Sequence, residues 1–387
     1  MRMTSTTDTA AEEREALVEA VRDFSDVHLA PFAAERDAEK IFPVDALRAA
    51  GEMGLGGIYV GEEYGSGLSR LDAVAIFEEL SKGDTAVAAY ISIHNMATWM
   101  IDEFGNDEQR ARWLPGLVAM QDLASYCLTE PGAGSDAAAL ATTARREGDE
   151  YVMNGTKQFI SGAGSSALYL VMARTGEPGA KGISAIVVPA DSPGLSFGPN
   201  EKKMGWNAQP TRQVIFEDVR VPVANRLSEE GAGFRIAMKG LNGGRVNVSA
   251  CSLGGAQWAL DRAVSYVQER HAFGAPLVAN QSVLFTLADM ETKLQAARAL
   301  LQRAAAKMDS GASDVAAACA LAKRFATDAG FEVANSALQL HGGYGYLHEY
   351  GIERVVRDLR VHQILEGANE IMSAIVGRAL VSGGSGR

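Results

Sequence analysis

The chain has 387 residues, is 47% hydrophobic and carries a formal net charge of −12 at neutral pH. That length exceeds the usual single domain and predicts two or three, with enough apolar residues to bury a sizeable core. Such acidity repels nucleic acid and anionic membranes at long range, so neither is expected as a partner.

The first third reads as helical. Leu17, Val21 and Phe24 recur at helical spacing between charged residues. The stretch FPVDALRAAGEMGLGG predicts a helix that begins near Pro43 and is stopped by glycine. LDAVAIFEELSKGD predicts another. From Thr85 to Ile101 there is no formal charge, yet Ser92, His94, Asn95 and Thr98 interrupt the apolar run. That mixture predicts a buried helix of a soluble domain rather than a membrane span. Asp107 is expected to open the helix of DEQRARWLPGL.

The pattern changes near residue 125. Gly148–Asp149 and Asn154–Gly155 separate short runs with β-branched or aromatic residues, and each is a hairpin signature. ALYLVMAR, GISAIVVPA and RQVIFEDVRVP predict further strands. From Gly231 onward, three long segments show apolar positions every three or four residues, as in a helical bundle. The tail VSGGSGR is expected to fray. The fold class is therefore α+β, with an N-terminal helical domain (1–124), a middle antiparallel β domain (125–230) and a C-terminal helical bundle (231–387).

Cys127, Cys251 and Cys319 are too few and too far apart for a disulfide framework and suit a reducing, cytoplasmic interior. Neither CxxC nor HExxH occurs, so no metal site is expected. The N-terminus lacks a basic start followed by an apolar core, so no secretory signal is expected. TEPGAGSDA and SGAGSSA both match a loose dinucleotide fingerprint. That fingerprint needs a strand before it and a helix after it, and here both lie in a β meander, so a Rossmann site is rejected. Glycine-rich turns remain, with backbone N–H groups able to form an anion nest. NGGR (242–245) is expected where the first bundle helix begins, with Arg245 either an anion holder or a solvated arginine. QLHGGYGY (339–346) reads equally as a helix C-cap and turn, with His341 capping or packing.

In VHQILEGANE (361–370), Glu366 follows two apolar residues and precedes Gly367 and Ala368. A carboxyl moved from water to an apolar site has its pKa raised, because the charged form loses hydration. It then becomes a competent base near neutral pH. A surface turn or a buried ion pair produces the same letters.

Taken together, YCLTEPGAGSD (126–136), FEDVRVP (216–222), ERHAFGAPL (269–277), QLHGGYGYL (339–347) and RDLRVHQILEGANEI (357–371) occur in the order found in the acyl-CoA dehydrogenases. The chain resembles that family over essentially its whole length. The resemblance implies a C-terminal four-helix domain, a homotetramer and FAD bound between the β domain and the C-terminal helices. It implies that Tyr126, Leu128, Thr129, Gly134 and Ser135 face flavin or acyl chain, and that Phe159, Ile160 and Ser161 form a second flavin run. Arg270, Phe273 and Gln281 would hold the FAD of a partner subunit, with the backbone at Gln339, Gly342 and Gly343 near its diphosphate. Ala368 and Glu370 would also border the cofactor. Ser135, Asn242, Arg245, Gly367 and Arg378 would contact the acyl-CoA.

Glu366 would be the catalytic base, with its own N–H helping to hold the thioester oxygen. The reaction implied is α,β-dehydrogenation of a short branched acyl-CoA, isobutyryl-CoA to methacrylyl-CoA, as in valine catabolism. Electrons would pass to an electron-transfer flavoprotein. 2-Methylbutyryl-CoA and straight short-chain substrates are the neighbouring alternatives. A flavin monooxygenase on the same scaffold usually lacks the base, and a non-enzyme scaffold would hold FAD without turnover. Three positions depart from common family patterns. Phe159 stands where many relatives have Trp, Ala368 where many have a hydroxyl residue, and Gly244 where isovaleryl-type enzymes place the base.

Overall fold

The computed structural model describes residues 6–383. Six helices come first: α1 (Thr6–His28), α2 (Ala33–Glu39), α3 (Val44–Glu52), α4 (Arg70–Gly83), α5 (Thr85–Phe104) and α6 (Asp107–Val118). Pro43 sits at the N-cap of α3. Ser69 and Asp72 form a capping box on α4, and Asn106 with Gln109 forms one on α6. Each box satisfies backbone donors that a helix start leaves free.

Helix α5 explains its own polar residues. Asn95 donates to the carbonyls of Leu55 and Ile91 and accepts from the N–H of Ile58. His94 accepts from Ala124 N–H on Nδ1 (3.0 Å) and lies 2.9 Å from the Leu117 carbonyl on Nε2. These partners fix the Nε2–H tautomer. Burial lowers the imidazole pKa to about 4, so the ring is neutral. The helix is a polar-stitched core element. No helix among the described residues is long and apolar enough to cross a membrane.

The middle segment contains β1 (Ala124–Cys127), β2 (Thr143–Glu147), β3 (Glu150–Ser161), β4 (Leu168–Arg174), β5 (Ile183–Pro189), β6 (Leu195–Phe197), β7 (Thr211–Pro222) and β8 (Arg226–Leu227). They form one sheet in the order β6-β7-β3-β2-β4-β5-β8, with β1 beside β4. Pairing is antiparallel except where β1 and β2 meet β4 in parallel. Gly148 makes the expected hairpin turn between β2 and β3. Asn154–Gly155 does not. It lies inside β3, where the register against β7 shifts between Met153 and Gly155. Gly155 has φ +144° and packs against Thr142, where a Cβ would overlap, while Asn154 exchanges hydrogen bonds with Asp218 on β7. The pair that signals a turn here makes a bulge.

The C-terminal region holds α7 (Gly233–Glu269), the two-residue strands β9 (His271–Ala272) and β10 (Ala275–Pro276), α8 (Gln281–Asp309), α9 (Val315–His341), α10 (Ile352–His362) and α11 (Asn369–Val381). The NGGR stretch does not begin α7. It lies more than two turns inside it. Two adjacent glycines would weaken an isolated helix by roughly 2 kcal/mol. Here they let other elements approach, since a Cβ on Gly243 would meet Arg70 and one on Gly244 would meet Glu366. Of the tail expected to fray, the residues after Gly383 lie outside the described residues. The N-terminal helices and the C-terminal bundle share one core, while a second core joins α5 and α6 to β1, β4, β5 and α7.

Candidate active site

The loop between α10 and α11 carries Glu366. It turns because Glu366 (φ +56°) and Gly367 (φ +91°) both take left-handed backbone. For a glutamate that conformation costs roughly 1–2 kcal/mol, so surrounding bonds must hold it. Arg245 Nε donates to the Glu366 carbonyl (3.1 Å), and Lys323 Nζ donates to the Gly367 carbonyl (2.9 Å) and Asn369 Oδ1 (2.8 Å). Asn369 Nδ2 in turn donates to Thr327 and Asp328, and Gln363 Nε2 also reaches Asp328.

The side chain of Glu366 points inward toward α7. Its residue surface is only partly covered, but Oε2 is sealed from solvent and has no hydrogen-bond partner. Burial raises the carboxyl pKa to about 7, opposed by Arg245 and Lys323. Among the described residues, the Glu366 amide N–H donates to nothing. Arg245 is buried rather than solvated, and its second contact is Asn242 Oδ1 at 2.7 Å. The Tyr126 hydroxyl is also buried without a partner, and both Glu366 and Arg245 act on it electrostatically.

The two runs expected to border a flavin lie side by side. Thr129 O accepts from Gln158 N (2.8 Å), and Ser161 O accepts from Ser125 Oγ (2.6 Å). Leu128 O accepts from the buried Lys157, which pairs with buried Glu130 at 2.7 Å. Phe159 is 63% exposed at φ +58°, while Leu128 and Ile160 are buried. Gly134 and Ser135 are exposed in the loop after β1.

A second feature is a cleft of about 370 Å³ lined by Tyr266, Arg270, Gln339, Gly342, Gly343 and Tyr344. Gly342 and Gly343 are exposed, with nothing within 4 Å of an added Cβ. His341 is buried and stacked on Tyr266, as a packing histidine. Phe273 is fully exposed on the β9–β10 turn at φ +54°, and Gln281 is exposed at the start of α8. This cleft shares no lining residue with the Glu366 loop. Ala368 N-caps α11, and Glu370 and Arg378 are exposed on it. Among the described residues no group of three His, Cys, Asp or Glu could hold a metal ion.

The residues fit a flavin dinucleotide chemically. Bare glycine backbone and an arginine suit a diphosphate, and an exposed aromatic beside an apolar strand suits a ring. Of eight non-glycine residues with positive φ among those described, three are Phe159, Phe273 and Glu366. Backbone strain of this kind gathers at functional sites.

Three features escaped sequence reading. Lys323 is fully buried in α9, and its signal was a lone cation on an alanine-rich face. The buried Arg70 guanidinium stacks on Tyr59 (3.4 Å to the ring centroid) and Trp99 (4.8 Å), beside Gly243. The Glu130–Lys157 pair carried no local signal at all.

The acyl-CoA dehydrogenase N-terminal, middle and C-terminal domain families match residues 11–121, 125–219 and 231–381. The chain is 52% identical to mitochondrial isobutyryl-CoA dehydrogenase of Bos taurus, over 96% of this chain and 89% of that one. It is 54% identical to the Dictyostelium discoideum protein of the same name, over 92% and 86%. Butyryl-CoA dehydrogenase from Megasphaera elsdenii superposes with a TM-score of 0.93 at 38% identity, covering 98% of this chain and 100% of that one. A chain from the structure described as "Electron transferring flavoprotein of Acidaminococcus fermentans: Towards a mechanism of flavin-based electron bifurcation" gives 0.94 at 39%, with 98% and 100% covered. The chain belongs to the acyl-CoA dehydrogenase family, as a flavoprotein oxidoreductase.

Proposed function

We propose that the protein oxidises a short branched acyl-CoA to its α,β-unsaturated thioester, with isobutyryl-CoA giving methacrylyl-CoA. Glu366 takes the proton from the α-carbon. Bound FAD would supply the acceptor for the hydride that leaves the β-carbon. Phe159, Ile160, Ser161, Tyr126, Leu128 and Thr129 would hold its ring. Arg270, Phe273, Gln281, Gln339, Gly342 and Gly343 would hold the diphosphate and adenine of a neighbouring copy, so the site needs a homo-oligomer, a homotetramer in this reading.

The observation that carries the proposal is the sealed, unpartnered Oε2 of Glu366. An α-proton on a thioester is a weak acid, and a carboxylate with an ordinary pKa is a poor base for it. Burial lifts this one to about 7. The free N–H of Glu366 is available to the thioester oxygen, where negative charge grows as the proton leaves. Arg245 grips the carbonyl of the same residue and so orients the base. Asn242, Ser135, Gly367 and Arg378 would line the path of the acyl-CoA. The relatives named isobutyryl-CoA dehydrogenase support the branched substrate. The similarity to the flavoprotein chain supports an electron-transfer flavoprotein as acceptor.

The test is anaerobic bleaching of the flavin by a panel of isobutyryl-, 2-methylbutyryl- and butyryl-CoA. Isobutyryl-CoA should bleach fastest, and Glu366→Gln should bind substrate without bleaching. A single methylene is worth about 1–3 kcal/mol, so the ranking needs rate constants rather than a yes or no. Fastest bleaching by butyryl-CoA would replace the branched assignment. Bleaching by Glu366→Gln at the wild-type rate would remove Glu366 from the role.

A further inference from the structure

We propose that Lys323 is a positioning residue for Glu366: its buried ammonium clamps the carbonyl next to the base and supplies a positive charge that favours the carboxylate. The inference rests on the reading of Glu366 as the base and adds a tuning element to it.

The geometry is specific. Lys323 is fully buried in α9, beneath the loop from Gln363 to Asn369. A buried ammonium is costly unless it is hydrogen-bonded and offset by negative groups. Both its contacts lie on the short segment that follows the base: Gly367 O at 2.9 Å and Asn369 Oδ1 at 2.8 Å. Asn369 is itself fixed by Thr327 and Asp328, one and two residues past the first turn that Lys323 begins on the same helix. The lysine therefore ties the left-handed Glu366–Gly367 turn to a rigid helix.

The electrostatic surroundings come from several elements. Glu366 faces Arg245 on α7, Lys323 on α9, Tyr126 on β1 and Tyr59 from the chain between α3 and α4. Lys323 faces Arg245, Asp328 on its own helix, Glu370 on α11 and His362 on α10. His362 is buried and bonded to Ser252 and Trp206, and burial together with Lys323 holds it neutral. Arg245 and Lys323 are thus the cations that act on the carboxyl. They have separate tasks. Arg245 grips the carbonyl of Glu366 itself, and Lys323 the carbonyl that follows. Without the lysine, desolvation acts on the carboxyl with one cation fewer against it, and the proton is held more tightly.

The experiment uses the full-length holoenzyme and Lys323→Met, Lys323→Gln and Lys323→Arg. The protonated carboxyl band of Glu366 is followed by infrared difference spectroscopy against pH, with Glu366→Gln in each background to assign it. The wild-type midpoint is expected near 7. It should rise by about one pH unit in Lys323→Met and Lys323→Gln and stay near wild type in Lys323→Arg. The acid limb of kcat/KM should move with it while KM on the plateau stays the same. If Lys323→Met does not fold, the Gln and Arg variants carry the comparison. A folded Lys323→Gln with a wild-type midpoint and only a lower Tm would overturn the proposal. So would a Lys323→Arg midpoint as high as that of Lys323→Gln, since charge would then be irrelevant. A shifted midpoint in a protein that no acyl-CoA bleaches would support the tuning role while the substrate reading fails.

Discussion

The carboxylate of Glu366 stands where a side chain on residue 244 would have to go: a Cβ added to Gly244 would overlap Oε2. Two positions far apart in sequence thus share one volume, and the absence of a side chain at one makes room for the acid at the other. Gly244→Ala should push the carboxylate off its line. Overpacking of this kind costs about 1–3 kcal/mol. A displacement near 1 Å at a reacting group costs about 10²-fold in rate. The expected outcome is a folded, flavin-loaded protein whose kcat/KM has fallen by that factor. An alanine variant of undiminished activity would show that the acid does not depend on this space.

The pKa of Glu366 makes a prediction about stability with a definite sign. The folded value of about 7 lies above the ordinary 4.5. The native state therefore holds the proton more tightly than the unfolded chain. Stability from this group is complete below pH 4.5 and is lost as pH rises through 7. Glu366→Gln removes the titration. It should melt above wild type at pH 8, by the equivalent of about 1–3 kcal/mol, and the gap should be smallest below pH 5. Thermal melts of both proteins across pH 5–8 measure it. A gap that does not change with pH would mean that the carboxyl is not desolvated in the native state.

Much of this was legible because local rules and tertiary packing agree. Pro43 and the hairpin at Gly148 both act within a few residues of themselves. The polar interruptions in α5 correctly argued against a membrane span, since His94 and Asn95 each meet a backbone partner from another element. Failures came where distant packing overrides a local signal. Asn154–Gly155 reads as a turn, but Asp218 and Thr142 turn it into a bulge. Gly243–Gly244 reads as a helix start, but it is a helix interior thinned for Arg70 and Glu366. Lys323 showed only as a cation on an alanine-rich face, because its acceptors lie 44 and 46 residues away. Glu366 itself stood out only as an acid among apolar and small residues, and its neighbours in space come from α7, α9 and β1.

Arg270 tests the idea that the cleft beside α9 serves a cofactor. It is exposed, sits over the Tyr344 ring and borders the bare backbone of Gly342 and Gly343. Arg270→Ala should weaken FAD retention by roughly tenfold or more, since charge-assisted bonds to a phosphate contribute about 1.5–3 kcal/mol. Gel filtration followed by flavin absorbance gives the occupancy. Unchanged retention would make the arginine an ordinary surface residue. If the cleft serves the flavin of a neighbouring copy, as proposed, flavin loss should also follow dilution that dissociates that assembly.

The buried pair Glu130–Lys157 lies beneath the segments proposed to face the flavin and supplies the last prediction. Lys157 bonds Leu128 O, and the Glu130 carboxylate accepts from the N–H groups of Ala141 and Thr142. Removing one partner leaves an uncompensated buried charge, which costs about 3–5 kcal/mol. Glu130→Ala should therefore destabilise the protein by that amount and loosen the Leu128–Thr129 backbone. Lys157→Met keeps the volume and removes the opposite charge. Combined with Glu130→Gln, which preserves one acceptor for the loop, it should be milder than Glu130→Ala alone. Urea unfolding of wild type, Glu130→Gln, Lys157→Met and their double variant closes the thermodynamic cycle, with Glu130→Ala measured beside it. Simple additivity of the single changes would show that the two groups do not act as a pair. Strong coupling, with lost flavin affinity in Glu130→Ala, would show that this charge pair sets the position of the strand edge proposed to hold the ring.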